Sequence, residues 1–288
     1  MRGIGGFYTV MDDQTYVLHT LRAQGKLRRQ RVTPMVGDKV QFTPQVGEEH
    51  GWVEKILPRK NEMKRPPVAN IDVVVLVCAA AEPQPDLLLI DRLLLSAAEH
   101  HIPAILAVNK ADLDPDMAGE IAKQYADAVE ASFAISAETG EGIEALREAV
   151  RGKIHAFGGQ SGVGKSSLIN ALYGLKLQTG VVSEKILRGK HTTRHCELHE
   201  VEGGGMVLDT PGFSLLELPL TEPILIKELY PEFQDYEGDC RFAPCAHKSE
   251  PDCAVQHAVS EGKIDPSRYK RYCTLFDEMQ QRWRERYD

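Results

Sequence analysis

The chain is 288 residues long, 42% hydrophobic, with a formal net charge of −8, which allows two or three domains and at least one large core. Its longest apolar runs, Val73–Val77 and Leu87–Ile90, are far too short to cross a bilayer. The first residues, Met1–Gly6, hold no apolar signal core, so a cytoplasmic protein without a membrane anchor is expected.

The acidic balance argues against nucleic acid until it is divided. Residues 1–67 hold 12 Lys and Arg against 7 Asp and Glu, residues 68–221 hold 12 against 21, and residues 222–288 hold 10 against 14. A basic front module therefore stands on an acidic body. Within residues 1–67, short alternating runs read as five strands: Gly6–Val10, Thr15–Leu18, Val32–Val36, Lys39–Phe42 and Trp52–Ile56. Turn residues such as Asp12-Asp13, Pro34 and Gly37-Asp38 punctuate them, the pattern of a five-stranded oligonucleotide-binding barrel. Lys26, Arg28, Arg29 and Arg31 form a basic run near Phe7 and Tyr16. Charge beside aromatic faces on such a barrel is how RNA backbone and unpaired bases are held.

Past a linker at Arg65-Pro66-Pro67 the pattern changes. Strands are expected at Ile71–Val77, Pro103–Val108 and Ala131–Ser136, and helices at Asp86–His101, Asp114–Ala128 and Gly142–Arg151. Such alternation gives a parallel, doubly wound α/β sheet over residues 68–221.

Asn109-Lys110-Ala111-Asp112 follows the second of these strands and has the N-K-x-D form. A carboxylate at Asp112 can accept from both the ring N1–H and the exocyclic amino group of guanine. Adenine offers neither, and leaves the carboxylate unpaired at a cost of about 1–3 kcal/mol. Asn109 is expected at the guanine N7/O6 edge, Lys110 along the ring, and Ser136-Ala137-Glu138 to give a backbone N–H to O6.

Gly158 and Gly159-Gln160-Ser161-Gly162-Val163-Gly164-Lys165-Ser166-Ser167 come next. The G-x-x-x-x-G-K-[ST] spacing lets the backbone curl so that successive N–H groups face phosphate oxygens. Lys165 reaches the β- and γ-phosphates and Ser166 turns its hydroxyl to Mg²⁺. Lys153–Phe157 reads as the strand before the loop and Ser167–Leu172 as the helix after it, which brings a helix N-terminus to the phosphates.

Further on, Gly189–His195 is a polar segment from which either Thr192 or Thr193 completes the magnesium shell; Thr193 is taken as the ligand. Asp209-Thr210-Pro211-Gly212 matches D-x-x-G, with Asp209 behind the metal and the Gly212 N–H at the γ-phosphate. Phe213 stands where many GTPases carry a water-orienting glutamine, which leaves His191 and His195 as the nearest polar groups for that task. The order is unusual: the base-reading residues precede the phosphate loop and both switch segments follow it. This is a circular permutation of the common GTPase order.

Six cysteines stand at 78, 196, 240, 245, 253 and 273. Cys240, Cys245, His247 and Cys253 lie within fourteen residues and offer three thiolates and an imidazole, the donor set of a closed, structural zinc site. His257 is the alternative nitrogen ligand, and Cys78, Cys196 and Cys273 read as ordinary core or surface residues. A last helix, Pro266–Tyr287, carries Arg268, Lys270, Arg271, Arg282, Arg284 and Arg286, which reads mainly as a solvated face, the alternative being a contact with RNA or a protein partner.

These motifs, in this order and over essentially the whole chain, resemble the bacterial ribosome small-subunit-dependent GTPase A family, which is circularly permuted. The resemblance implies three units: a front barrel at residues 1–67, a permuted P-loop GTPase at 68–221 and a zinc-binding helical unit at 222–288. It further implies a monomeric factor in late assembly of the small (30S) ribosomal subunit. Such a factor binds the subunit and its 16S rRNA, hydrolyses GTP when the subunit stimulates it, and then leaves.

Overall fold

The structure, a computed structural model, describes residues 2–4, 6–29, 32–44, 51–64, 66–174, 196–209 and 221–287. The front module holds β1 (Arg2–Ile4), β2 (Phe7–Met11), β3 (Leu18–Ala23), the short helix α1 (Gly25–Arg29), β4 (Val40–Thr43) and β5 (Gly51–Ile56). Its strands lie in the order β1-β2-β3-β5-β4, with β3 and β5 parallel and the other neighbours antiparallel. That is the connectivity of the five-stranded oligonucleotide-binding barrel. Leu21, Ala23, Leu27 and Val53 form its core.

Two local expectations change here. Thr15–Val17 is a turn and the second long strand starts only at Leu18. The Asp12 carboxylate accepts the N–H groups of Gln14 (3.0 Å) and Thr15 (2.7 Å), and the Tyr16 N–H reaches the Asp12 carbonyl, an Asx turn that leaves Tyr16 at φ 58°. Residues 32–36 make no ladder beyond an isolated bridge from Val36 to Val68, since Pro34 has no N–H to donate.

The expected linker near Pro66 is the bend of a hairpin, β6 (Glu62–Lys64) and β7 (Pro67–Ala69). The Arg59 guanidinium pins the hairpin base to Asp38 at 2.7 and 2.9 Å.

The central elements run β8 (Val73–Ala79), α2 (Leu87–Glu99), β9 (Ala104–Asn109), α3 (Pro115–Gln124), β10 (Ala131–Ala134), α4 (Ile143–Val150), β11 (Ile154–Gly159), α5 (Lys165–Tyr173), β12 (Glu197–Glu200) and β13 (Met206–Asp209). Strands β10, β9, β8, β11 and β13 lie side by side and parallel, with β12 antiparallel beyond them. The alternation of β8 explains the two helical layers. Val74, Leu76 and Cys78 join the core under α2 and α3, while Val73, Val75 and Val77 join the core under α4 and α5. Beyond β12 the ladder continues into β1, with Arg2 opposite Glu197. Barrel and central sheet thus make one eleven-stranded sheet.

The last part begins with two 3₁₀ segments, Pro223–Leu229 and Pro231–Tyr236, followed by α6 (Ala254–Ser260) and the long α7 (Pro266–Arg284). Tyr230, Phe233 and Tyr272 pack ring on ring with centroids 4.9–5.1 Å apart. Leu95 of α2 belongs to the same apolar cluster, so this core is shared with the helix that covers the central sheet. Among the described residues no helix is long and apolar enough to cross a membrane.

Candidate functional site

Strand β11 and helix α5 meet at the phosphate loop in the middle of the parallel sheet. Gly158 and Gly159 are buried at the strand end. Gly159 has φ +142°, and a Cβ there would stand 2.0 Å from the Val77 carbonyl oxygen. Only glycine lets the loop leave β11 beside β8. The Gly164 N-cap supplies no side chain to the start of α5, and the first N–H groups of the helix point at the loop. Of the loop residues, Ser161 and Gly162 are exposed, Gln160, Ser166 and Ser167 partly buried, and Val163 fully buried in the core under α4 and α5. Lys165 donates from Nζ to the carbonyls of Gly159 (2.8 Å) and Gln160 (2.7 Å). Burial pushes its pKa down to about 8, a cost that an arriving phosphate would relieve.

The base-side loop stands where β9 ends. Asn109 is buried, donates from Nδ2 to the Val163 carbonyl at 2.8 Å and accepts the Ala137 N–H at 3.0 Å. Its amide thus braces three loops, and one of the backbone N–H groups of the 136–138 stretch rests on it. Lys110, at φ 61°, donates from Nζ to the Glu82 carbonyl. Ala111 is buried, and Asp112 is exposed with its carboxylate open to solvent. Ser136 is fully buried and caps its own turn by accepting the Thr139 N–H at 3.1 Å.

His155, also fully buried, sits on β11 ahead of the loop. With Nδ1 on the Lys153 carbonyl (3.1 Å), its Nε2 accepts from the Tyr173 hydroxyl at 2.6 Å, which ties β11 to the end of α5. Asp209 ends β13 beside β11. His191, Thr192, Thr193, His195, Gly212 and Phe213 lie outside the described residues.

Cys240, Cys245, His247 and Cys253 bring one ligand atom each to within 4.8 Å of one another. His247 Nδ1 is 3.5 Å from Cys240 Sγ and 3.3 Å from Cys253 Sγ, and the two sulfurs are 3.9 Å apart. These are the edges of a tetrahedron about an ion with bonds of about 2.0–2.3 Å, so the cluster fits a metal. Burial lowers the His247 pKa, which keeps the imidazole in its neutral, ligating form. His247 Nε2 faces a Glu237 oxygen at 3.4 Å, the orienting carboxylate such a histidine usually has. His257 is exposed on α6, Cys78 and Cys196 are buried, and Cys273 is partly buried.

Sequence reasoning missed two features. On the barrel, Phe7, Arg22 and Trp52 are register neighbours across β2, β3 and β5, with the Arg22 guanidinium 4.5 Å over the Phe7 ring and Trp52 39% exposed. The alternation with buried Leu21 and Val53 was the available signal. On α7, Arg268 and Arg271 belong to the helix expected to present a solvated face. Both turn inward onto the carboxylate of Asp91 on α2.

A phosphate loop at the β11–α5 junction, base-side loops from the strands before it, and the remaining sheet strands after it define a circularly permuted P-loop nucleotide-binding protein. A profile described as RsgA GTPase matches residues 56–219, and one described as RsgA N-terminal domain matches residues 1–53. The chain belongs to the RsgA GTPase family and is a GTP-hydrolysing enzyme. It is 42% identical to the small ribosomal subunit biogenesis GTPase RsgA of Agathobacter rectalis, over 98% of this chain and 97% of that one. Among solved structures, YjeQ from Thermotoga maritima superposes with a TM-score of 0.84 at 37% identity, covering 96% of this chain and 95% of that one. YloQ, titled a circularly permuted GTPase, gives 0.80 at 32% identity, with 97% and 93% covered.

Proposed function

We propose that this GTPase acts in biogenesis of the small ribosomal subunit, as a cytoplasmic, monomeric factor that binds 16S rRNA and leaves after hydrolysis. The observation that carries the reading is full-length similarity to relatives so named, joined to an outward row of Phe7, Arg22 and Trp52 on a basic barrel. An arginine stacked on an aromatic ring beside an exposed tryptophan is a platform for unpaired bases. The three working units are residues 1–67, 68–221 and 222–288.

In the nucleotide site, Asp112 accepts from the guanine N1–H and amino group, and the Ala137 N–H turns to O6. Lys165 exchanges its two carbonyls for the β- and γ-phosphates, held also by the N–H groups that open α5. Ser166, with Thr193 and Asp209, would hold magnesium, which when bound neutralises phosphate charge. The Gly212 N–H meets the γ-phosphate, and His191 orients the attacking water, with His195 the alternative. We assign zinc to Cys240, Cys245, His247 and Cys253, since three thiolates and an imidazole leave no open position.

Single-turnover GTP hydrolysis, with and without purified small subunits, tests this reading. Slow hydrolysis by the free protein, accelerated by subunits and lost on His191→Ala, is expected. If subunits leave the rate unchanged, the assembly role fails. If His191→Ala and His195→Ala both keep the stimulated rate, the water is oriented by a group of the subunit.

A further inference from the structure

Asp91 is 1% exposed, on the fifth residue of α2, and each of its carboxylate oxygens meets an arginine of α7: Arg268 at Oδ1 and Arg271 at Oδ2. Arg268, itself 3% exposed, also grips Glu232 and lies 5.0 Å over the Tyr125 ring and 4.8 Å over Tyr230. Arg271 reaches the Gln124 amide oxygen (2.6 Å) and the Tyr125 hydroxyl (3.3 Å), and that hydroxyl donates to the Leu87 carbonyl at 3.1 Å. The two arginines thus hold the start of α2 directly at Asp91 and, through the Tyr125 hydroxyl, at Leu87. At 1.5 Å per residue these lie about 6 Å apart along the axis.

What precedes α2 is the wall of the nucleotide site. Asp86 caps α2 by accepting the Leu89 N–H at 2.9 Å. Residues 80–85, just before it, run between the base-side and phosphate loops. The Ala80 N–H donates to the Asn109 carbonyl at 2.8 Å, and the Glu82 carbonyl takes the Lys110 ammonium. Pro83 lies 3.8 Å from where a Gly162 Cβ would stand.

We propose that Asp91 is a positioning residue for the guanine pocket. Held by Arg268 and Arg271, it fixes the start of α2 and so the 80–85 segment on which Lys110 rests. The C-terminal helix is then part of the nucleotide site's frame, and whatever bears on α7 changes how long nucleotide stays. A buried carboxylate between two guanidinium groups is costly to disturb, and a 1 Å shift at a reading loop is felt in binding. This inference rests on the assignment of the 109–112 loop to guanine.

The test is the dissociation rate of a fluorescent guanine nucleotide from the full-length protein carrying Asp91→Asn. Release of GDP and GTP faster by about tenfold, a usual size for coupling between sites, is expected, with metal content unchanged. Arg271→Gln, which spares Arg268, serves if Asp91→Asn does not fold; it should accelerate release in the same direction, and Arg271→Lys should restore part of it. A lowered melting temperature with an unchanged release rate in the folded variant would overturn the proposal, since mere adhesion of α7 predicts that result. Asp112→Asn is the control: if it leaves guanine binding intact, the pocket assignment has failed instead.

Discussion

The Asn109 side-chain amide donates to the Val163 carbonyl at 2.8 Å, so the residue that opens the base-side motif holds the phosphate loop in shape. This bond joins the base-side loop to the phosphate loop directly. Asn109→Ala removes this bond and the acceptor for Ala137, and leaves a buried carbonyl unpaired, a loss of about 1–3 kcal/mol. GTP and GDP affinity should fall together by roughly tenfold to a hundredfold. Equilibrium titration checks this, and an unchanged dissociation constant for both would refute it.

Asp112→Asn should separate base recognition from phosphate binding. An amide cannot accept from both N1–H and the amino group, whereas it can donate to the 2-oxo group of xanthine. Preference should pass from GTP to xanthosine triphosphate, read by competition between the two nucleotides.

Gly159→Ala should abolish nucleotide binding. The added methyl meets the Val77 carbonyl at 2.0 Å, and φ +142° is strained for any side chain. Both β8 and β11 would have to move. The melting temperature should drop as well, and a variant with wild-type binding would show that the loop takes another path.

A dependence on pH is expected from His155. Burial lowers its pKa from the usual 6.5, so between the two values the unfolded chain binds more protons than the folded one. The stability it supports is complete above about pH 6.5 and is lost as the pH falls through the folded value. Melting temperatures taken from about pH 7.5 down to 5.5 should fall, and less steeply for His155→Gln. Equal slopes would remove His155 from the acid sensitivity.

Metal removal should act on one end of the molecule. Chelation, or Cys245→Ser, should loosen the Tyr230–Phe233–Tyr272 core, since Cys245 and Cys253 are buried in it. Nucleotide binding should remain measurable. One zinc per chain by mass analysis is expected in the intact protein, and none would remove the metal from the account.

The phosphate and base loops were legible in the sequence because each is a contiguous run whose chemistry fixes its spacing. The unbroken apolar run of β8 likewise disclosed a strand buried on both faces. Pairings between distant segments were not legible. Arg268 and Arg271 looked like solvated charge because their partner, Asp91, stands 177 and 180 residues away. The signal was on α2, where a lone acid interrupts Leu87–Ile90 and Leu93–Leu95. The Thr15–Val17 error had a local cause: Asp12 captures the N–H groups a strand would have used.

The ladder between β1 and β12 also sets an order in time. Arg2 pairs with Glu197, and at about 5–20 residues per second of synthesis β1 is made roughly ten to forty seconds before its partner. The front module's other strands can therefore pair first, with the edge of β1 that β12 will take left open. That edge is a template for another nascent chain until β12 is made, and only then does the long sheet become continuous.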